Sequence, residues 1–431
     1  MGPGRGGARL RIGAALVTRL ALRNVLRNAR RSLLTAAAMV LGLALLVLSR
    51  GVADGAHESW INAGVRLGSG HVVLQAPGYR ERPGLERRLH EADVRQAVAA
   101  LAAPKLTPLV KASSVRLAVS GLASSASSAA PVRIRGVEPD AESRFSGLAE
   151  DRVEGSYLDA AAPLGAFVGE GLARRLGLET GQRMVLTAQA ASGEIVGQLA
   201  RVRGTFRTGI PEVDDGLVLL PLSTARRWLG ASGATEIAVL LHSSRQVAPA
   251  AKALRAGLSA RGDTVRVLGW REASPELEAA IRIDDYGDYL FHGVLLALVA
   301  LAILNAVLTS VLHREREFGV LLALGLTARE TGGVVFAEGL LLTLLSGLAG
   351  VIVGFGVTWI FFRHGLDLSA LWSEDITVSG AVVSPVLVPE FRVVQILQSL
   401  ATVLVMGILA SAYPAWRAGR IDPAEAMAFE R

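Results

Sequence analysis

The sequence predicts a membrane protein with four transmembrane helices and a large α+β domain held between the first span and the second. Three observations predict it. Four long apolar stretches occur, one near the start of the chain and three in its last third. About 235 residues of ordinary, mixed polarity separate the first stretch from the second. Arginines crowd the flanks of the first stretch, and the mean hydropathy of the whole chain lies above zero. A buried helix of a soluble protein can reach such a length once, but four in one chain require a bilayer.

The first span is Ser32 to Ser49, SLLTAAAMVLGLALLVLS, with no charge over 18 residues and with Arg30, Arg31 and Arg50 at its edges. That length suffices to cross the hydrocarbon core as a helix. The second (Tyr289 to Leu312), third (Val334 to Phe362) and fourth (Val393 to Ala415) also qualify, with Glu338 near the start of the third. Charge beside the spans sets their direction. Eight arginines and no acid precede the first span, the link between spans two and three carries Arg314, Arg316 and Arg329, and the link between spans three and four carries Asp367, Glu374, Asp375 and Glu390. Both termini are therefore expected in the cytoplasm and the large domain outside. A cleaved signal peptide is the rival reading of the first span, but its basic region would be unusually long. The chain contains no cysteine, so the external domain must rest on its core without disulfides.

The formal net charge of +7 could suggest nucleic acid, but much of the excess is the N-terminal arginine cluster beside a span. Positive-inside topology accounts for it more simply, and no nucleic-acid partner is expected. The three lysines, against 42 arginines, fit a GC-rich coding sequence.

Within the external domain, Val72 to Gln75 reads as a short strand, Glu86 to Ala103 as a helix, Gly121 to Pro131 as a hairpin or loose loop, and VRIRGV as an alternating strand. Gly165 to Gln189 reads strand, helix, turn at Gly181, strand. Further strands follow in GEIVGQLARVRGTFRT. Asp214 to Gly230 gives a strand, a break at Pro221 and a helix capped by Ser223, then come the strand ATEIAVLLHS and a helix over Gln246 to Ala260. The reading is a mixed sheet with short helices, in one or two subdomains divided between Arg133 and Leu164. From Trp270 a helical pattern runs into the second span with no evident linker, although Gly287 could soften it.

No catalytic motif emerges. The seven histidines are isolated from one another, no HExxH or GxSxG is present, and no GxxxxGK[ST] exists to cradle ATP phosphates. The chain is not expected to be an enzyme or to hold a cofactor or metal. Few ionisable groups lie within the spans, against what a proton relay needs; Glu338 and His292 sit near span ends with no evident intramembrane partner. Gly347, Gly350 and Gly354 recur at spacings of three and four, which suits close helix contact.

Three segments carry a resemblance: LALRNVLRNARRSLLT (Leu20 to Thr35), NAVLTSVLHREREFGVLLALGLTARE (Asn305 to Glu330) and YPAWRAGRIDPAEAMAFE (Tyr413 to Glu430). They resemble, respectively, the amphipathic entry helix, the coupling segment and the C-terminal signature of the permease subunits of FtsX-like, MacB-type ABC transporters. RIRGVEP, GAFVGEGLARRLGLETGQRM and GTFRTGIPEVDDGLVLLPLSTARRWL are similar to the external domain of the lipoprotein-releasing LolC/LolE branch. The resemblance implies a cytoplasmic segment 1–31, TM1 at 32–50, a MacB-like periplasmic core at 51–288, TM2 at 289–312, a coupling helix at 313–333, TM3 at 334–362, a periplasmic loop at 363–392, TM4 at 393–415 and a cytoplasmic tail at 416–431. Residues 289–425 would form the FtsX-like permease domain.

What the resemblance implies is a mechanotransmitting transporter of the inner membrane, with two permeases, identical or homologous, and a cytoplasmic ATPase dimer that holds the ATP and Mg. In the lipoprotein branch, lipoprotein leaves the outer leaflet for a periplasmic carrier. Related branches export drugs or peptides through an adaptor, or regulate a cell-wall hydrolase. The implied ATPase contact comprises Arg314, Glu315, Arg316 and Glu317 at a helix start, with Phe318, Val320, Leu321, Leu322 and Leu324 as its apolar side. An interfacial helix in lipid headgroups is the competing reading of that segment. Met39, Leu43, Leu46, Leu298, Asn305 and Met406 are implied cavity residues by mid-span position, and Gly209, Pro211, Glu212 and Asp214 an implied carrier contact, with a plain surface turn as the alternative.

Overall fold

The computed structural model describes residues 29–68, 70–258, 264–367, 377–378, 381–382, 386–389 and 393–422. Most of the expected amphipathic entry segment, and the C-terminal signature beyond residue 422, lie outside the described residues. Among the described residues, four helices are long and apolar enough to cross a membrane. The chain divides into a membrane unit, built around the spans, and an extramembrane unit running from His57 to Ile283.

Helix α1, Ala29–Leu67, extends 39 residues, well past the expected boundary at residue 50. No proline interrupts the polar stretch after the span, and the helix ends only before Gly70, whose φ of +84° suits glycine. The extramembrane unit follows as β1 (Val72–Gln75), α2 (Glu91–Leu101), β2 (Val110–Ser124), β3 (Ala129–Val137), α3 (Pro139–Ser146), β4 (Arg152–Gly155) and β5 (Gly165–Gly169). It continues as α4 (Glu170–Leu176), β6 (Arg183–Gln189), β7 (Ile195–Phe206), α5 (Pro211–Asp214), β8 (Leu217–Pro221) and α6 (Leu222–Leu229). It ends with β9 (Glu236–Leu241), α7 (Val247–Leu258), β10 (Arg266–Gly269) and α8 (Trp270–Ala273). The remaining helices are α9 (Pro275–His313), α10 (Glu315–Ala323), α11 (Ala328–Phe362) and α12 (Val393–Ala418). Gly287 lies inside α9 without breaking it.

Among the described residues, the ten strands of the extramembrane unit form one continuous sheet. Pairing runs from β2 through β3, β8, β5, β7 and β6 back to β2, so six strands close a ring. Ring closure leaves these strands no open edge. Leu117, Ile134, Val168, Leu186, Val202 and Val218 share the core of this ring with Leu172 of α4 and Leu229 of α6. The first half of β2 leaves the ring and pairs with β9, extending an antiparallel sheet through β1 to β10.

Alternation along β9 assigns the two faces of that extension. Ile237, Val239 and Leu241 pack with α2 and α7, whereas Ala238 and Leu240 pack with Ile61 and Val65 of α1, Phe145 of α3, and Leu277 and Ile281 of α9. The roots of α1 and α9 are thus core elements of the domain. At Gly64 an added Cβ would lie 2.8 Å from the Leu277 side chain, so a larger residue there would have to displace that leucine.

Local boundaries differ from expectation for identifiable reasons. The helix read from Glu86 begins at Glu91, where His90 and Asp93 form a capping box. Strand β2 runs through Ser124 because its partners β3 and β6 extend it, confining the hairpin to Ser125–Ser128. Helix α6 starts at Leu222 behind Pro221, so Ser223 is within it and caps nothing. Helix α3 is too short to carry a periodic signal in the sequence; Pro139 opens it and Gly147 closes it at φ +72°.

In the membrane unit, α11 turns a glycine face to α1. An added Cβ at Gly350 would lie 2.8 Å from Leu43 Cβ, and one at Gly354 would lie 2.8 Å from the Ala44 carbonyl. Such backbone-close contact supplies the van der Waals packing that replaces hydrophobic driving force in lipid. Gly354→Val is expected to cost about 1–3 kcal/mol by overpacking and to lower the melting temperature of the detergent-solubilised chain. Gly356→Val, whose added atoms meet open space, serves as the control and should melt like the parent.

His71 supplies a pH test of the domain. It is fully buried, its Nδ1 accepts from the Leu241 N–H at 3.2 Å, and burial lowers its pKa to about 4, with the Glu58 charge opposing only in part. The folded state therefore disfavours the proton that the unfolded chain takes up near pH 6.5. Stability should be complete above that pH and fall, by up to about 3 kcal/mol, between roughly pH 6.5 and 4. Denaturation midpoints across that range should flatten in His71→Asn, which keeps an acceptor but does not titrate; an unchanged slope would refute the assignment.

Candidate coupling site

At the end of α9 the backbone breaks for one residue. Arg314 (φ −115°, ψ 17°) leaves the helix, its N–H donates to the Val311 carbonyl at 3.1 Å, and α10 begins at Glu315. Glu315 and Glu317 lie in the first turn of α10, where acids favour the positive end of the helix dipole. Gly325 (φ +97°) ends that helix, and Thr327 starts α11 through a capping box with Glu330: the Glu330 N–H donates to Thr327 Oγ1 at 3.3 Å and the Thr327 N–H to Glu330 Oε2 at 2.9 Å.

Arg314 holds this corner together. Its Nε donates to Glu317 Oε2 at 2.7 Å, its Nη1 donates to Glu338 Oε2 at 2.9 Å, and its guanidinium carbon sits 5.0 Å from the centre of the Phe318 ring. Ser310 Oγ donates to the other Glu338 oxygen at 3.4 Å. Glu338 therefore has partners 24 and 28 residues away, which its sequence neighbourhood does not reveal. His292 also has one distant partner, Ser49 Oγ at 3.0 Å from Nε2, besides the Asp288 carbonyl one turn earlier at 2.6 Å from Nδ1.

The apolar side expected on the coupling helix divides in two. Phe318 is only 1% exposed and shares a core with Val311, Val335, Ala415 and Ala418, so it faces this chain's own spans. Arg314 folded over its ring, and the close passage of α11 against α12, leave it no route outward. An added Cβ at Gly332 would lie 2.7 Å from the Ala415 carbonyl. Leu321 and Leu322 are half-buried. Val320 (42% exposed) and Leu324 (72%) point away, on the same helical side as exposed Arg316.

The implied cavity residues do not converge on one surface. Met39, Leu43 and Leu46 are buried against Val299, Ile303 and Val403, inside the helix packing. Leu298 and Asn305 are exposed on one side of α9, together with Leu290, Val294 and Leu301, while Met406 is half-buried. Among the implied carrier contacts, Asp214 is turned inward: it accepts from the Thr208 N–H and Oγ1, both at 2.8 Å, and from the Gly209 N–H at 3.0 Å. It braces the short helix α5, leaving Pro211 and Glu212 exposed and Gly209 part-buried at φ +77°.

Residues 289–423 match the family model described as FtsX-like permease C-terminal, and residues 32–256 match that described as MacB-like periplasmic core domain. The chain is 25% identical over 312 residues to the lipoprotein-releasing system transmembrane protein LolC of Xylella fastidiosa, covering 70% of this chain and 73% of that protein. It is 24% identical over 437 residues to the macrolide export ATP-binding/permease protein MacB of Hyphomonas neptunium, covering 96% of this chain and 60% of that one. Among solved structures, the periplasmic region of MacB from Actinobacillus actinomycetemcomitans is similar over 50% of this chain and 95% of that one, with 11% identity and a TM-score of 0.35. The chain belongs to the family of FtsX-like permeases with a MacB-like periplasmic core domain, and is an ABC transporter permease of the LolC/MacB type.

Proposed function

We propose that this permease serves lipoprotein release: driven by a separate ATPase that binds ATP and Mg, it draws acylated lipoprotein from the outer leaflet of the inner membrane and passes it to a periplasmic carrier. Both termini lie in the cytoplasm on this reading, and a second permease subunit completes the complex. The supporting observation is the reach of the LolC match. Its 312 residues exceed what the spans and their links can supply, so the likeness must include much of the extramembrane domain. The charge-free outward side of α9, with only Asn305 polar among the residues named there, suits contact with acyl chains. Pro211 and Glu212 remain the exposed part of the proposed carrier contact.

A second reading, export through a periplasmic adaptor, is favoured by the MacB match covering 96% of this chain. Depleting the chain in its native cell separates the two. Triacylated lipoproteins accumulating in the inner membrane, with macrolide susceptibility unchanged, support release; normal sorting with increased susceptibility supports export.

The ATPase contact on this reading is the outward side of α10, namely Arg316, Val320 and Leu324. Val320→Asp and Leu324→Asp should each cut co-purification of the ATPase at least tenfold without lowering the melting temperature of the permease. Phe318→Asp should instead destabilise the permease itself, by about 3 kcal/mol or more, because it buries an unpaired charge in a packed core. Unchanged ATPase binding in both outward variants would rule the contact out.

A further inference from the structure

The C-terminal end of α1 meets an unusual concentration of buried charge. A helix end leaves its last carbonyls without intrahelical partners. Here the Gly68 carbonyl accepts from Arg116 Nη1, and the Leu67 carbonyl accepts from Arg135 Nη1 at 3.4 Å. Arg116 is fully buried on β2 and makes further bonds in three directions. Its Nε and Nη2 donate to the two oxygens of Glu142 on α3 at 2.8 and 2.7 Å, its Nη1 reaches Glu236 of β9 at 3.4 Å, and its guanidinium lies 4.4 Å from the centre of the Phe145 ring. Ser114 donates to Glu142 at 2.6 Å, and Gln75 of β1 donates to Glu236 at 3.3 Å. Burial, the largest single influence, would raise the Glu142 carboxyl, but the charge and hydrogen bonds of Arg116, with the Arg135 charge and the Ser114 bond, together lower it.

Packing alone does not call for this cluster, since replacing buried ion pairs by apolar side chains is often neutral or stabilising. A guanidinium fork adds direction. Any slide or rotation of the α1 end relative to β2 must break the bonds of Arg116 to the Gly68 carbonyl and of Arg135 to the Leu67 carbonyl, while the bidentate pair with Glu142 keeps the Arg116 fork from following. The same root is held a second time, by Glu58 of α1, whose carboxylate accepts from the Ser244 N–H at 3.1 Å and from the Ser244 hydroxyl.

We propose that Arg116 is a positioning residue that fastens the end of α1 to the sheet of the extramembrane domain, so that force carried along α1 moves β2, β9 and α3 as one body. The proposal rests on the reading of the chain as an ATP-driven permease. The absence of cysteine makes it testable in the full complex with its ATPase, in proteoliposomes loaded with a triacylated lipoprotein. Spin labels at Asn62→Cys and Lys111→Cys report the distance between the α1 root and β2, and the lipoprotein released per ATP reports coupling.

The parent should keep one narrow distance with and without ATP. Arg116→Met/Glu142→Leu should melt near the parent and still hydrolyse ATP, but show a broadened distance and release at least fivefold less lipoprotein per ATP. Should that pair not fold, Arg116→Lys, whose single ammonium cannot span Glu142 and the Gly68 carbonyl together, should show the same broadening. A distance as narrow as the parent's in the folded variants, or broadening with unchanged release per ATP, overturns the proposal. A parent that keeps the narrow distance yet releases no lipoprotein overturns the lipoprotein reading and leaves the anchor standing.

Discussion

A bilayer offers no hydrogen-bond partners to a polypeptide backbone, and that constraint organises this chain. Inside the hydrocarbon each N–H and C=O must be bonded within its own helix, so specific polar interactions gather where helices end. Arg314 stands at the break between α9 and α10, tied to Glu317 and Glu338. Thr327 and Glu330 close the start of α11 reciprocally. Beyond the bilayer, where α1 ends inside the extramembrane domain, burial makes the same demand, and Arg116 and Arg135 take its last carbonyls. Cations at a helix C-terminus are also favoured by its dipole, which makes arginine a suitable residue for the α1 end twice over.

Between those ends the spans meet mainly through small residues. Gly350 and Gly354 of α11 are buried against α1, Gly347 between Leu400 of α12 and Leu43 of α1, and Gly407 of α12 against Thr343. Thr343 and Thr358 spend their hydroxyls on carbonyls one turn earlier in their own helix, at 2.8 and 2.7 Å. Such contacts hold helices close without pinning them through directional bonds. The polar links between spans, Ser49 with His292 and Ser310 with Glu338, lie near span ends.

The parts of the fold set by local pattern were legible in the sequence. Spans announce themselves by length and lack of charge, and strands such as β3 by period-two alternation, because both signals reside in consecutive residues. What escaped depends on distant partners. Nothing near Glu338 identifies Arg314 as its counter-ion, and helical periodicity alone cannot say which side of α10 faces the spans, so Phe318 joined Val320 and Leu324 as one apolar side. Mid-span position does not say which way a side chain faces: within this chain Met39, Leu43 and Leu46 point into helix packing while Leu298 points out. Ring closure through β6 and β2 is a tertiary pairing with no local signature.

The domain end and the coupling corner solve one physical problem with the same side chain under different degrees of burial. At the corner, Arg314 is shared between one carboxylate on its own short helix and one on α11, so the direction of α10 is set by a bond that still borders solvent through exposed Glu317. Exchange of that bond with water is inexpensive, which suits a surface that must adjust to a partner. In the domain, the Arg116–Glu142 pair is sealed, and each partner would be left as an uncompensated buried charge if the other withdrew, a loss of about 3–5 kcal/mol. The two arginines therefore differ in compliance: the corner can yield, whereas the sealed pair holds the Arg116 fork fixed against the Gly68 carbonyl at the root of α1.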